Sequence, residues 1–331
     1  MLRPLFSCLA LGCCLAWPQL TQAQNEKPQK ITVTDPAKAD EDFKVQGEYV
    51  GRRTVGDAVQ PVGVQVVAYG EGNFQAVLYV GGLPGAGGDK TKKEAYKGKR
   101  EEGAVRLSGT EGKLEIKDGK LVLINAEGRE AGQADRTERQ SPTLGRKAPE
   151  GVVVLFNGTS ADAFENGKMN EAGLLQVGVK SKQAFQNFSM HMEFMLPYMP
   201  NSTGQARGNS GLYIQDRYEC QILDSFGLEG KNNECGGFYT LRDPDINMCF
   251  PPLVWQTYDI DFTAAQFDDA GKKTKDAVVT VRHNGVVIHE SYSLPKATPG
   301  GKNEAPAAGP LQLQNHGNPV VFNNIWVLEQ K

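Results

Sequence analysis

The stretch Arg207-Gly-Asn-Ser-Gly-Leu-Tyr-Ile-Gln-Asp-Arg-Tyr-Glu-Cys-Gln-Ile-Leu-Asp224 decides the fold. It reads as two β-strands joined by a tight turn. Side chains alternate across a strand, so Asn209, Gly211, Tyr213 and Gln215 share one parity, and Glu219, Gln221 and Leu223 share another on the return strand. A sheet face bearing Glu, Gln, Asn and Tyr is no hydrophobic core. It is either a wet face, the default for an antiparallel sheet, or the floor of a polar groove. Planar amides, a carboxylate and an aromatic ring in one groove suit a sugar.

Outward from this hairpin the same period continues. Val152–Phe156 is a buried-strand run, and further strands are expected near 173–179, 188–196, 255–263, 277–283, 285–292, 309–315 and 320–328. Arg282-His-Asn-Gly-Val286 carries Asn-Gly, a hairpin turn signal. Apolar residues at helical spacing are nearly absent. The expected fold is all-β, a two-sheet sandwich or jelly roll, spanning residues 150–331. Before it, residues 43–125 read as a small all-β module, with strands at Phe43–Val50, Val62–Ala68, Phe74–Tyr79, Ala104–Ser108, Lys113–Lys117 and Leu121–Ile124. Lys90–Glu102 is a charged stretch outside that pattern. Residues 24–42 and 126–149 are polar or charged without apolar period and read as linkers. Gly81–Gly88 is glycine-rich but lacks the Gly-Lys-Ser/Thr ending of a phosphate loop.

The 331 residues carry a net charge of −3, with Lys and Arg scattered, which gives no electrostatic case for nucleic acid. Residues 1–23 read as an export signal. Arg3 starts it, Leu5–Trp17 is apolar but too short to span a bilayer, and cleavage is expected after Ala23. The imperfect lipobox Ala10-Leu11-Gly12-Cys13 is the lipoprotein alternative. The mature chain is then periplasmic or secreted, with no membrane-spanning segment of its own. It keeps Cys220, Cys235 and Cys249. In an oxidising compartment a Cys235–Cys249 disulfide is expected across a Gly/Asp/Asn/Pro-rich loop, with Cys220 free and facing the core. Zinc is a poor fit, because no CxxC pair is present and histidine is scarce.

Residues 151–329 resemble the 3-keto-disaccharide hydrolase domain family (DUF1080), which has a concanavalin A-like jelly roll. The residues that carry the resemblance are Leu155-Phe-Asn-Gly158, Asn187-Phe-Ser-Met-His-Met-Glu-Phe194, Gly208-Asn-Ser-Gly-Leu-Tyr213 and Tyr218-Glu-Cys-Gln-Ile-Leu-Asp224. Trp255-Gln-Thr-Tyr258, His283-Asn-Gly-Val286, the run from Gly309 to Val320 and Phe322-Asn-Asn-Ile325 complete the series. Phe164 stands where the family commonly has Trp. The first module lies outside the resemblance.

The resemblance implies cleavage of glycosides already oxidised at C3. The ketone acidifies the C2 proton, a base removes it, the C1 group departs by β-elimination, and water adds to the unsaturated sugar. Such a site needs a base, a donor or cation at the enolate oxygen, and an acid. Glu219 is the candidate base, Asp224 the candidate acid or metal ligand, and His316 a candidate acid, ligand or enolate donor. Glu219-x-Gln221-x-x-Asp224 is similar to the Glu-x-Asp-x-x-Glu strand of jelly-roll glucanases, but Gln221 replaces the middle acid, which argues against double displacement. Arg207, Asn209, Gln215, Gln221 and Gln314 suit sugar hydroxyls and a keto oxygen, and Tyr213 and Tyr239 suit stacking on a pyranose. Asp224 and Glu234 with backbone carbonyls would suit a divalent cation such as Ca²⁺, though no spacing demands one. His283 and His289 read as surface residues, and His191 as a neighbour of Glu193. A noncatalytic lectin-like module and an envelope scaffold are the other two readings, since one fold serves several functions.

Overall fold

A computed structural model describes residues 30–330. The expected export signal, the lipobox alternative and residues 24–29 of the first linker lie outside the described residues. The first unit is a closed barrel of eight consecutive antiparallel strands. These are β1 (Gly47–Val55), β2 (Ala58–Ala68), β3 (Asn73–Val80), β4 (Lys93–Glu101), β5 (Ala104–Gly109), β6 (Gly112–Lys117), β7 (Lys120–Asn125) and β8 (Glu130–Thr137). Its filling comes from every second residue: Val62, Val64 and Val66 of β2, Phe74, Ala76 and Leu78 of β3, Leu114 and Ile116 of β6, and Leu121 and Leu123 of β7.

Two strands correct the sequence reading. The charged stretch holds β4, in which Tyr96 points inward while Lys97 and Lys99 point out. The expected linker holds β8, which pairs with β1 and β7 and closes the barrel. The barrel module therefore runs to Thr137, not 125. The strand is hard to see because Ala134 is its one buried residue and the others on that parity are Gly132 and the exposed, charged Glu130 and Arg136; a Cβ on Gly132 would strike the Arg52 carbonyl. The described part of the first linker is also structured. Val33 and Tyr198 exchange backbone hydrogen bonds of 2.9 Å, and Phe43 packs against the Tyr198 ring.

The second unit is a jelly-roll sandwich. Its strands are β9 (Val153–Phe156), β10 (Phe164–Glu165), β11 (Leu175–Gln176), β12 (Val179–Phe185), β13 (Phe188–Met195), β14 (Ser210–Ile214) and β15 (Tyr218–Ile222). After a long loop come β16 (Trp255–Thr263), β17 (Gln266–Phe267), β18 (Lys273–Lys275), β19 (Ala277–His283), β20 (Val286–Leu294), β21 (Gly309–Leu313) and β22 (Val321–Glu329). One sheet has the order β10-β12-β21-β14-β15, and the other β11-β22-β13-β16-β19-β20 with β9 beside β22. Leu212, Ile214, Tyr218, Cys220 and Ile222 of the first sheet meet Met190, Met192, Phe194, Ile260 and Phe262 of the second. Tyr218 and Phe262 put ring centroids 5.8 Å apart across the sandwich. Burying large apolar side chains in this layer supplies the main stabilising term, about 1.5–3 kcal/mol for each.

The segment after the barrel lies on the outer face of the second sheet. His191, 0 % exposed, has its Nδ1 2.8 Å from Asp259 Oδ1 and its Nε2 3.3 Å from Glu193 Oε1. Thr143 Oγ1 donates to Asp259 (2.7 Å), the Gly145 amide donates to Glu193 (2.6 Å), and Arg146 stacks over Trp326. Burial works against a charged imidazole, but the two carboxylates outweigh it and raise the His191 pKa.

Candidate functional site

The β14–β15 turn sets the site's register. Gln215 and Asp216 both have positive φ (53° and 60°), the geometry of a hairpin turn matched to strand twist. Neither is glycine, so their side chains hold the conformation. Gln215 Nε2 donates to the Phe185 carbonyl (2.9 Å) and its Oε1 accepts from Arg217 (2.7 Å), while Asp216 accepts from Lys180 (2.7 Å) and pairs with Lys302 (2.9 Å). The turn puts Tyr213 opposite Glu219 and Gly211 opposite Gln221. A Cβ on Gly211 would collide with the Glu219 carboxyl, so the glycine is what lets that carboxyl lie across the strand.

The polar face is not wet. Glu219 is 4 % exposed, and Asn209, Tyr213 and Gln221 are buried with it. Two loops cover it. From 295–307, Thr298 Oγ1 accepts the Glu219 amide (2.8 Å), the Pro299 carbonyl accepts from the Tyr213 hydroxyl (3.2 Å), and Gly300 packs so close that a Cβ would lie 2.7 Å from that hydroxyl. From the 225–254 loop, the Gln221 amide donates to the Gly237 carbonyl, and the Cys220–Phe238 bridge brings half-buried Tyr239 alongside Glu219.

Tyr213 donates to Glu219 Oε2 at 3.0 Å. Among the described residues no cation stands against this carboxyl: Arg207 is paired with Asp224, and Lys180 and Lys302 with Asp216. Burial therefore pushes the Glu219 carboxyl up to about 7, and the Tyr213 hydroxyl pulls back only part of that. Burial, then the Glu219 charge, raises the Tyr213 phenol, which stays protonated and able to donate. The Gln221 amide belongs with its nitrogen toward the Ser210 carbonyl and Glu219 Oε1, both 3.1 Å away. The reversed placement, donating to Gln205 Oε1 at 3.0 Å, would set the Gln221 oxygen against the Ser210 carbonyl, which only accepts, and against Glu219 Oε1. Asn209 Nδ2 reaches the Gln205 carbonyl (2.8 Å), and the Asn209 and Gln314 side-chain oxygens, both buried, have no hydrogen-bond partner among the described residues. Amides thus flank one carboxyl of intermediate acidity and one neutral phenol.

Other expected residues lie elsewhere or serve structure. Asp224 accepts from Arg207 Nε at 2.6 Å in a pair whose side chains are 0 % and 4 % exposed. Gln215 is consumed by the turn. His316 is exposed in the β21–β22 connection, with no side-chain hydrogen bond to the described residues. Glu234 caps its own loop, accepting from the Gly230 (2.6 Å) and Lys231 (3.0 Å) amides. A cation at Asp224 and Glu234 does not fit these arrangements. Among the described residues no three His, Cys, Asp or Glu side chains are grouped as a metal site needs. His283 and His289, expected at the surface, are 0 % exposed and neutral, burial lowering them to about 3 and about 4. Cys220, Cys235 and Cys249 are all free and buried, so the expected disulfide is absent. The loop is instead fastened by Asn247, which donates to the Ser225 (2.8 Å) and Leu228 (3.1 Å) carbonyls, and by Asp243, which accepts from the Asn232 amide (2.6 Å).

Gln205, Thr298 and Asn318, whose Oδ1 accepts from the Asn209 amide (2.8 Å), escaped sequence reasoning. Gln205 sits on a single 3-10 turn (Gly204–Ala206) and the other two on loops, none with a periodic pattern, and only the fold brings them here. Voids of about 240 and 430 Å³ lie along the seam between barrel and jelly roll and contain none of the Glu219 face.

The jelly roll is similar to solved structures. One "putative glycosyl hydrolase" from Parabacteroides distasonis shares 33 % identity with a TM-score of 0.51, covering 55 % of this chain and 85 % of its own. A second "putative glycosyl hydrolase" from the same organism shares 19 % identity with a TM-score of 0.39, covering 55 % of this chain and 95 % of its own. No curated protein matches. Residues 151–328, just over half of the chain, match the 3-keto-alpha-glucoside-1,2-lyase-like domain, and the chain belongs to that carbohydrate-active family.

Proposed function

We propose that the protein is an exported enzyme that cleaves glycosides oxidised at C3, with Glu219 as the base. One observation carries this reading: a buried carboxyl with no cation, poised at about 7, beside a phenol that stays protonated. A general base works best when its pKa lies near the working pH. Glu219 takes the C2 proton, and the electron pair moves into the C3 carbonyl as an enolate, which accepts a hydrogen bond from Tyr213. The enolate collapses, the C1–O bond breaks, and the leaving oxygen takes a proton. With Asp224 tied to Arg207, the protonated Glu219 is the acid in reach. Water adding across the resulting double bond completes a net hydrolysis. Asn209, Gln221 and Gln314 hold hydroxyls, and Tyr239 faces the ring. The 295–307 loop lifts to admit substrate, since Glu219 is nearly sealed beneath it.

The test uses mature protein with a 3-keto glucoside bearing a chromogenic leaving group. Release by wild type and none by Glu219→Gln is the expected result. Sugar binding without release from any 3-keto substrate would sink the enzymatic reading in favour of a lectin-like module.

A further inference from the structure

The barrel lies outside the family match, yet one of its hairpins reaches the site. Ala68 ends β2 and Tyr69 begins the turn to β3. Val67 belongs to the jelly-roll core, not the barrel core, and its Cγ2 would lie 2.6 Å from a Cβ on Gly227. Arg207 Nη1 donates to the Ala68 carbonyl (3.3 Å), and its guanidinium lies 5.3 Å over the Tyr69 ring. Its Nε is held by Asp224, while buried Nη2 has no hydrogen-bond partner among the described residues. On that side the aromatic face is the restraint.

Arg207 in turn fixes the loop that edges the site. Its carbonyl accepts from the Asp224 amide (3.2 Å), and Gly208, at φ 59°, packs against the Asp224 side chain. Gln205 lies two residues before it and Asn209 two after, and both join the amide cluster beside Glu219. We infer that the barrel is a built part of the site, with Tyr69 as a positioning residue that locks Arg207 and through it the Gln205–Asn209 edge. The inference rests on the reading of the Glu219 face as the site. A desolvated cation over a ring is attracted by its π face, and displacing groups that hold the substrate equally in ground and transition state weakens binding, which reads as a raised KM.

The experiment compares Tyr69→Ala, Tyr69→Leu and Tyr69→Phe in the full mature chain. Leucine keeps the hairpin's apolar bulk without a π face, so it serves if the alanine variant fails to fold. Hydrogen exchange at the Gly208 and Asn209 amides should quicken about tenfold in the leucine variant and stay near wild type in Tyr69→Phe. On the 3-keto glucoside, KM should rise about tenfold with kcat and the pH profile unchanged, and phenylalanine should restore it. Unchanged exchange in Tyr69→Leu, or a phenylalanine variant as loose as leucine, would overturn the inference. The exchange arm is independent of turnover, so an inactive wild type would count against the enzymatic reading alone.

Discussion

Replacing Glu219 with glutamine should abolish turnover and also make the protein more stable, but only at high pH. The carboxyl is 4 % exposed with no cation beside it among the described residues, and its pKa is raised from an ordinary 4.5 to about 7. Between those values the folded chain keeps a proton that the unfolded chain has released. The stability linked to that proton is fully present below about 4.5 and is lost as pH rises through about 7. The interval corresponds to about 3 kcal/mol. Glutamine is nearly isosteric, still accepts from Tyr213, and carries no charge to desolvate. Glu219→Gln should therefore gain up to about 3 kcal/mol over wild type at pH 8.5 and close to nothing at pH 4. Urea unfolding followed by tryptophan fluorescence suits the measurement, because Trp255 and Trp326 both lie in the jelly roll. An equal change at both pH values would refute the argument, since it would show that Glu219 carries no desolvation cost in the folded state.

Tyr213→Phe removes a donor that favours the ionised Glu219, so the rising limb of the kcat/KM–pH profile should move upward by about one pH unit; an unmoved limb would separate the two groups. His191 is raised by Asp259 and Glu193, so the stability it contributes is present below about 6.5 and fades as pH rises through its higher folded value. His191→Gln should then cost about 2 kcal/mol at pH 5.5 and less at pH 9, read from the same urea curves. EDTA should leave turnover within about twofold, because Asp224 and Glu234 are already engaged by Arg207 and by backbone amides; a larger loss would place a cation elsewhere.

The hairpin at 210–222 was legible because Leu212 and Ile214 on one strand and Tyr218 and Ile222 on the other fall on the core parity, which also sent Cys220 to the core as expected. That parity says which side chains share a face. It does not say what covers the face, and here the cover decides the chemistry: loops carrying Thr298, Pro299 and Tyr239 turn a face of polar side chains into a dry one. β4 and β8 were missed because a closed barrel tolerates strands whose inner positions are mostly small or half-polar, provided their neighbours fill the centre. The histidines of the β19–β20 hairpin were misplaced for a related reason. Asn-Gly marks a turn, but this turn is covered by Pro142 from the segment that follows the barrel, and His283 is sealed against Gln256.

Two buried clusters of titratable groups differ in what taking up a proton would cost them. On the outer face of the second sheet, Asp259 and Glu193 share His191, accept further hydrogen bonds from Thr143 and Gly145, and have their pKa values lowered. Those carboxylates are satisfied anions, and taking up a substrate proton would break what holds the 141–146 segment in place. On the opposite sheet Glu219 has one phenol, one amide and a backbone contact, and gains little from being charged. Taking a proton there relieves a desolvation cost rather than breaking an ion pair. Burial alone would not separate the two clusters, because both are buried; the difference is the compensating charge, which one has and the other lacks. Moving a cation to Glu219, as Gln221→Lys would, should therefore drop its pKa toward the ordinary carboxylate range and cost turnover at neutral pH even with the carboxyl intact. A variant that kept full activity with its pH limb still near 7 would show that the missing cation is not what sets the base.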